Sequence, residues 1–418
     1  MRGLAALAIV APGLLSCAIA VAPPSFAIAG VEAVRAYTDT EAVFVERTLD
    51  GGILVVGNFG SPLLPTRAFA EVLQSDGGQA RPAPELFHQS DPFLATHAVA
   101  AVVLGEELLV SGAADNADMA STTMEAWETR ADLDFPGYDA HYHQRLAPLP
   151  KELDQDFHTR STRLAGAVHR FHATERDSWA RWGNALPNRW CVAGNYEADA
   201  GAGAFFSRQV SDLPRLGFDF ASGGAAGVTA HSLALVESHC LAVGQWDGGA
   251  VLFDLGGLAF IGPYTHANVD PATLVRVGAD GRPSDALAIN RSGDVVGWEA
   301  ATSAELGVAA IRVSGKDTRF RLLPLPPEWH SGRALSSTRT RTGQVVAVGW
   351  GVDENGRKRA LIWVDASSVF PLDTLVLGLE SHWALEEATS IDALLDIVGN
   401  GHLGERKRAF LLILGAER

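Results

Sequence analysis

The chain has 418 residues, of which 47% are hydrophobic and 20% charged. That composition excludes wholesale disorder, and the length calls either for two or three domains or for a repeat that spreads the core out. The net charge of −16 excludes a protein built to wrap nucleic acid or to dock on anionic lipid by charge, since both need a basic face.

The N-terminus has the layout of an export signal. Arg2 gives a positive start, and Leu4 to Val21 is apolar apart from Pro12, Gly13, Ser16 and Cys17. Ala27-Ile28-Ala29 then offers a small-x-small cleavage site before Gly30. Residues 1–29 are therefore expected to be a signal peptide and residues 30–418 the mature, exported chain, periplasmic or extracellular. The alternative is a lipoprotein anchored through Cys17, after Leu14-Leu15-Ser16. No later segment is long and apolar enough to predict a transmembrane span in the mature chain. Cys191 and Cys240 remain after the leader. In an oxidising compartment they either pair as a disulfide or stay buried thiols, and both readings stand.

From there on one pattern repeats. An apolar run ending in glycine recurs at Gly57, Gly112, Gly194, Gly244, Gly297, Gly349 and Gly399. The usual interval is about 50 residues, with one long interval after Gly112. A second apolar run follows each glycine, usually opening with Ala: Ala68-Phe69, Ala126-Trp127, Ala204-Phe205, Ala250-Val251, Ala309-Ala310, Ala360-Leu361 and Ala409-Phe410. Eight residues before the glycine the position is apolar in six of the seven copies, followed by a turn such as Asn290-Arg291-Ser292-Gly293. Two runs around such a turn predict a hairpin. The Ala-led run is a third strand, and a Leu/Pro close such as Leu322-Leu323-Pro324 the fourth. Four short strands per repeat predict an all-β, seven-bladed β-propeller, since each blade buries its faces only against its neighbours. The last repeat has no room for a fourth strand. Residues 31–37 alternate well enough to supply it, which predicts that they pair with residues 409–414 and close the ring.

The long interval holds an insertion at about residues 151–183. It carries Arg160, Arg163 and Arg170 with His169, His172, Trp179 and Trp182, and Leu164, Val168 and Phe171 fit one helical face. A basic, aromatic insertion in an acidic chain is a candidate contact for an anion or a glycan; the other reading is a solvated cap. His169 and His172, even with His141 and His143, lack a metal-site spacing, so no metal and no cofactor is expected. The residue after each glycine forms a second candidate set: Asn195, Trp298 and Trp350 among them would lie on one circle of the ring. Amides there would bond sugar hydroxyls and indoles would stack on C–H faces; the other reading is strand capping and packing between blades.

The order Ala-x-x-Ile-Asn/Asp, Val-Val-Gly, Ala-Phe-Leu over residues 286–414 resembles the bacterial extracellular HAF repeat family, named for a His-Ala-Phe signature. Arg67, Arg359 and Arg408 stand in the histidine place. The resemblance implies secretion and a β-rich repeat fold, and it transfers no catalytic residue. No nucleophile elbow, metal-protease helix or phosphate loop occurs. The function expected is therefore a non-catalytic binding or interaction module of the cell envelope, monomeric, with a glycan or envelope partner and no nucleic acid. The alternative is a propeller enzyme acting on polysaccharide, hydrolase or lyase, with paired carboxylates across the channel.

Overall fold

The computed structural model describes residues 228–254 (save 237–238), 274–301, 307–414, 39–74 (save 49–50 and 62–63) and the strands named below. The chain is all-β. Its described strands form seven antiparallel sheets, six of four strands and one of three. In chain order, the first sheet is Asp39–Arg47, Ile53–Ser61 and Leu64–Leu73. The second is Thr96–Leu104, Glu107–Asp115, Met124–Asp132 and Tyr142–Arg145. The third is His172–Ala173, Trp190–Ala198, Gly201–Gln209 and Phe218–Ala221. The fourth is Val228–Val236, His239–Trp246, Gly249–Asp254 and Leu274–Arg276. The fifth is Ser284–Ile289, Val295–Ala300, Gly307–Arg312 and Arg321–Leu322. The sixth is Ser331–Arg339, Val345–Val352, Lys358–Val364 and Ser368–Pro371. The seventh is Trp383–Ile391, Ile397–Leu403 and Arg406–Leu414, joined by Phe26–Gly30.

Each repeat marker has a physical cause. The glycines sit in the second strand of each sheet, and the Ala-led run is the third. In every sheet the residue after that Ala lies directly opposite the glycine, as Phe69 does to Gly57 and Phe410 to Gly399. The first strand bulges beside the glycine, between Ala42 and Phe44 in the first sheet and between Ala334 and Ser336 in the sixth. The bulge drops a first-strand carbonyl onto the glycine. A Cβ at Gly57, Gly297, Gly349 or Gly399 would overlap the carbonyl oxygen of Glu41, Asp285, Arg333 or Glu387.

The apolar runs are continuous because a sheet is buried on both faces. In the sixth sheet Val345, Ala347, Leu361 and Trp363 pack toward the fifth. Val346, Val348, Ala360 and Ile362 pack toward the seventh. Successive residues of a strand point to opposite faces, so one run feeds two cores. Each sheet contacts the next, and the seventh contacts the first. That last seam has its own core, where Val55, Phe59 and Phe69 meet Val398, Ala409 and Leu411. Polar groups stitch it as well. Ala409 N donates to Thr40 Oγ1 at 2.9 Å, and Thr389 Oγ1 donates to Ala42 O at 2.8 Å.

The strand paired with the last one is not the expected segment. Phe26–Gly30 pairs with Phe410–Leu414, Phe26 opposite Leu414 and Gly30 opposite Phe410. Residues 31–37 lie outside the described residues. The pairing strand therefore occupies the end of the segment expected to be leader. Within the stretch read as an insertion, His172–Ala173 is the first strand of the third sheet, opposite Cys191 and Trp190.

Candidate functional site

The first strands of the fourth to seventh sheets and of the first approach one another, and two places on them collect chemistry. One is the half where these strands begin. There the bulge and its glycine fix a register pair in each sheet: Glu41 opposite Asn58, Asp285 opposite Trp298, Arg333 opposite Trp350 and Glu387 opposite Asn400. Directly opposed residues project on one side of a sheet. The glycine that admits the bulge thus sets where these side chains lie.

The amides of this set bind the protein itself. Asn58, 4% exposed, holds the next sheet at both ends. Its Nδ2 donates to Ala98 O at 3.0 Å, and Ala98 N donates to its Oδ1 at 2.7 Å. Asn400 Oδ1 accepts from Ala42 N at 2.9 Å across the seventh–first seam, and its Nδ2 donates to Glu387 Oε1 at 3.1 Å. Gln245 Nε2 donates to Ser284 O of the fifth sheet at 3.1 Å. These are clips between sheets, each satisfying a buried backbone group.

The two indoles hold a cation. The Arg333 guanidinium carbon is 5.2 Å from the Trp298 ring centroid and 5.6 Å from that of Trp350. Lys358 Nζ is 4.8 Å from the Trp350 ring. Gly307 lies against the Trp298 ring, where a Cβ would overlap it. The ring faces are thus occupied by Gly307 and by cations, so indole stacking on sugar is replaced by indole clamping of charge. Arg333 is exposed and makes no ion pair with any described residue. Lys358, by contrast, pairs with Glu387, and Lys407 pairs with Glu41. The Glu41 hydrogen bond raises the Lys407 ammonium above the ordinary lysine range.

Beside Trp298 lies a histidine–carboxylate pair. His231 Nε2 is 3.0 Å from Asp285 Oδ2 and 3.1 Å from Thr229 Oγ1. Asp285 Oδ1 and Trp298 Nε1 are buried with no hydrogen-bond partner among the described residues. The line His231, Asp285, Trp298, Arg333, Trp350, Lys358, Glu387 runs from the fourth sheet to the seventh. It mixes acceptors and cations, and its Arg333 guanidinium has no ion-pair partner among the described residues.

Trp298 and Trp350 of the expected site residues fall in this line. Asn195 takes the same register position in the third sheet, opposite Ala204, and its side chain lies outside the described residues. So do the side chains of His172, Cys191 and Cys240, and all of Arg160, Arg163, Arg170, His169, Trp179 and Trp182. Among the described residues no group of three or more His, Cys, Asp or Glu is arranged to hold a metal, and no helix is long and apolar enough to cross a membrane. Arg333, His231 and Asp285 were missed by sequence reasoning. The signal was present for two of them, because the residue opposite each tryptophan follows from the hairpin register.

The second place is the opposite half, where the first strands end in hairpin turns. A cavity of about 370 Å³ lies there, lined by residues such as Arg47, Asn290, Arg339 and Asp392.

No protein-family model matches the chain, and no curated protein matches it. Solved structures do. Trypanosoma rangeli sialidase in complex with sialic acid aligns with a TM-score of 0.46 at 11% identity, over 93% of this chain and 57% of that one. This chain therefore spans little more than half of the sialidase. A Dyadobacter fermentans protein of unknown function aligns with a TM-score of 0.45 at 10% identity, over 94% of this chain and 98% of that one. Penicillium chrysogenum α-L-arabinanase complexed with arabinobiose aligns with a TM-score of 0.45 at 11% identity, over 84% and 99%. At these values no residue role passes from those proteins to this chain.

Proposed function

We propose that this chain is an exported seven-bladed β-propeller of the HAF repeat type, monomeric, whose tryptophan-bearing face binds an acidic glycan through Arg333. Seven sheets, each packed on the next and the last on the first, support the closed ring. The pairing of Phe26–Gly30 with Phe410–Leu414 supports closure through the two ends of the chain.

The observation that carries the binding reading is the exposed Arg333 guanidinium clamped between two indoles with no acid paired to it among the described residues. A guanidinium fork matches a carboxylate or sulfate in a bidentate way. Holding it between rings contributes about 0.5–2 kcal/mol per contact and fixes its orientation before a ligand arrives. The neighbouring Asp285 carboxylate disfavours a densely anionic polymer and can accept from a sugar hydroxyl. A sugar carrying one acid group among several hydroxyls fits that mixture; a nucleic acid does not.

A second reading is an enzyme acting on acidic polysaccharide, a lyase or hydrolase. The His231–Asp285 pair favours it, because a histidine oriented by a carboxylate is a competent general base. A glycan array probed with the whole protein tests the first reading: retention of uronate or sulfated glycans with no retention of neutral ones is expected, and equal retention of both contradicts it. Incubation with polyuronate tests the second, through the ultraviolet absorbance of an unsaturated sugar end or through new reducing ends.

A further inference from the structure

Two seams between sheets are built on the same plan, and one of them departs from it. In the fifth sheet the turn is Asn290-Arg291-Ser292-Gly293-Asp294. Asn290 Oδ1 accepts from Ser292 N and Asp294 N at 2.9 and 3.0 Å. Its Nδ2 donates to Asp294 Oδ2 at 3.0 Å and to Ser337 Oγ of the sixth sheet at 3.2 Å. Asp294 is fully buried and receives Arg339 of the sixth sheet on both oxygens, at 2.6 and 2.7 Å. No buried side-chain atom of that set is left without a partner.

The seventh sheet repeats the turn as Asp392-Ala393-Leu394-Leu395-Asp396. Asp392 Oδ1 accepts from Leu394 N and Asp396 N at 2.8 and 2.9 Å, as Asn290 does. Arg47 of the first sheet reaches Asp396 as Arg339 reaches Asp294. The amide, however, has become a carboxyl. Where Asn290 has an NH₂ that donates to Asp294, Asp392 has a second oxygen and, when ionised, no hydrogen to give. Val45 stands two residues before Arg47, as Ser337 stands two before Arg339, so the hydroxyl partner is lost too. Asp392 Oδ2 and Asp396 Oδ1 are buried with no partner among the described residues. Two buried acceptors with no donor between them call for a proton.

We propose that Asp392 and Asp396 share one proton at mildly acidic pH, and that this pair makes the seam between the seventh and first sheets sensitive to pH. Asp396, held by Arg47, is the ionised member, and Asp392 is the neutral one that donates to it. The charged groups on the elements facing the pair around the cavity are Glu46 and Arg47 from the first sheet, Arg291 from the fifth and Arg339 from the sixth. Arg291 is itself paired with Glu46 at 3.1 Å, and Arg339 with Asp294, which leaves Arg47 as the cation engaged with the pair. Burial, and then the Asp396 charge, push the Asp392 carboxyl up to about 7 from 3.8.

The sign follows from linkage. A carboxyl whose folded pKa lies above its unfolded one contributes its full stability below the unfolded value, and that contribution is lost as pH rises through the folded value. The seam therefore weakens between about pH 4 and pH 7 and is flat above. Asp392→Asn copies the fifth-sheet plan and removes the proton. Its melting temperature relative to the natural chain should rise steadily from pH 4 to pH 7 and then level off, ending several degrees above. The reciprocal variant Asn290→Asp should install the same pH dependence at the other seam. Infrared spectra of the unmutated protein need no variant to fold: a protonated-carboxyl C=O band should persist above pH 6 and disappear near pH 7. A melting difference for Asp392→Asn that is constant with pH, or the absence of that band at pH 6, overturns the proposal.

Discussion

The Arg47 guanidinium donates through Nε to Asp396 Oδ2 at 2.5 Å, tying the first strand of the first sheet to the hairpin of the seventh. The Asp396 side chain is 1% exposed and that of Arg47 21%. Arg339 and Asp294 repeat the arrangement two seams away with 30% and 0%. In both, an arginine at the end of one sheet's first strand closes onto an aspartate in the hairpin of the sheet before it.

Removing the cation should therefore be costly in either seam. Arg339→Ala leaves Asp294 buried and without its charge partner, and a broken buried pair typically costs about 3–5 kcal/mol. Urea unfolding at neutral pH should show a loss of that order. Arg47→Ala should lose less when the unfolding is run at about pH 5, because the proton on Asp392 then still serves Asp396 on its other side.

The repeat glycines should resist the smallest enlargement. Gly349→Ala drives a Cβ into the Arg333 carbonyl, which requires backbone movement costing about 1–3 kcal/mol. Gly356, with φ of +74° and open space around it, should lose only about 1 kcal/mol as alanine, the strain of a left-handed residue. Thermal melts of the two variants order the effects. Gly349→Ala should also disturb glycan binding, because its carbonyl neighbour is the backbone of Arg333.

Deleting residues 26–30 removes five paired positions from the edge of the last sheet. The melting temperature should drop by several degrees, and limited proteolysis should cut within residues 406–414. A chain beginning at residue 26 should melt at the temperature of the full chain. A chain beginning at residue 31 should show the loss.

Much of this was legible in the sequence because the repeat is a packing rule written in residues. Gly297 and Gly349 recur where a bulged carbonyl lands, and Ala309-Ala310 and Ala360-Leu361 recur where the register sets them opposite. The closing strand was misplaced because any short alternating stretch satisfies an edge: Val31 to Tyr37 and Phe26 to Gly30 differ in which lies opposite Phe410, and sequence does not encode that distance. The candidate site was half legible. Trp298 and Trp350 stood out by composition, but the cation between them comes from another hairpin strand. Asn58 and Asn400 looked like ligand amides because their backbone partners, on Ala98 and Ala42, belong to other repeats. The Asp392–Asp396 pair was hidden by similarity, since an Asn-to-Asp difference at aligned turn positions reads as equivalent capping chemistry.

Binding should carry the mark of a charged contact. Affinity for an acidic glycan should fall as salt rises, since exposed charges are screened within about 10 Å at 0.1 M. Trp350→Leu should weaken binding less than loss of Arg333 does, by freeing the guanidinium without removing it.

The most direct test is calorimetric titration of a polyuronate oligosaccharide, and of a neutral one of equal length, into the natural protein and the Arg333→Ala variant. The acidic ligand should bind the natural protein and the neutral one should not. Arg333→Ala should weaken acidic binding at least about tenfold, or roughly 1.4 kcal/mol, with the melting temperature nearly unchanged and Arg333→Lys in between. Undiminished binding by Arg333→Ala, or equal binding of the neutral oligosaccharide, would contradict the account.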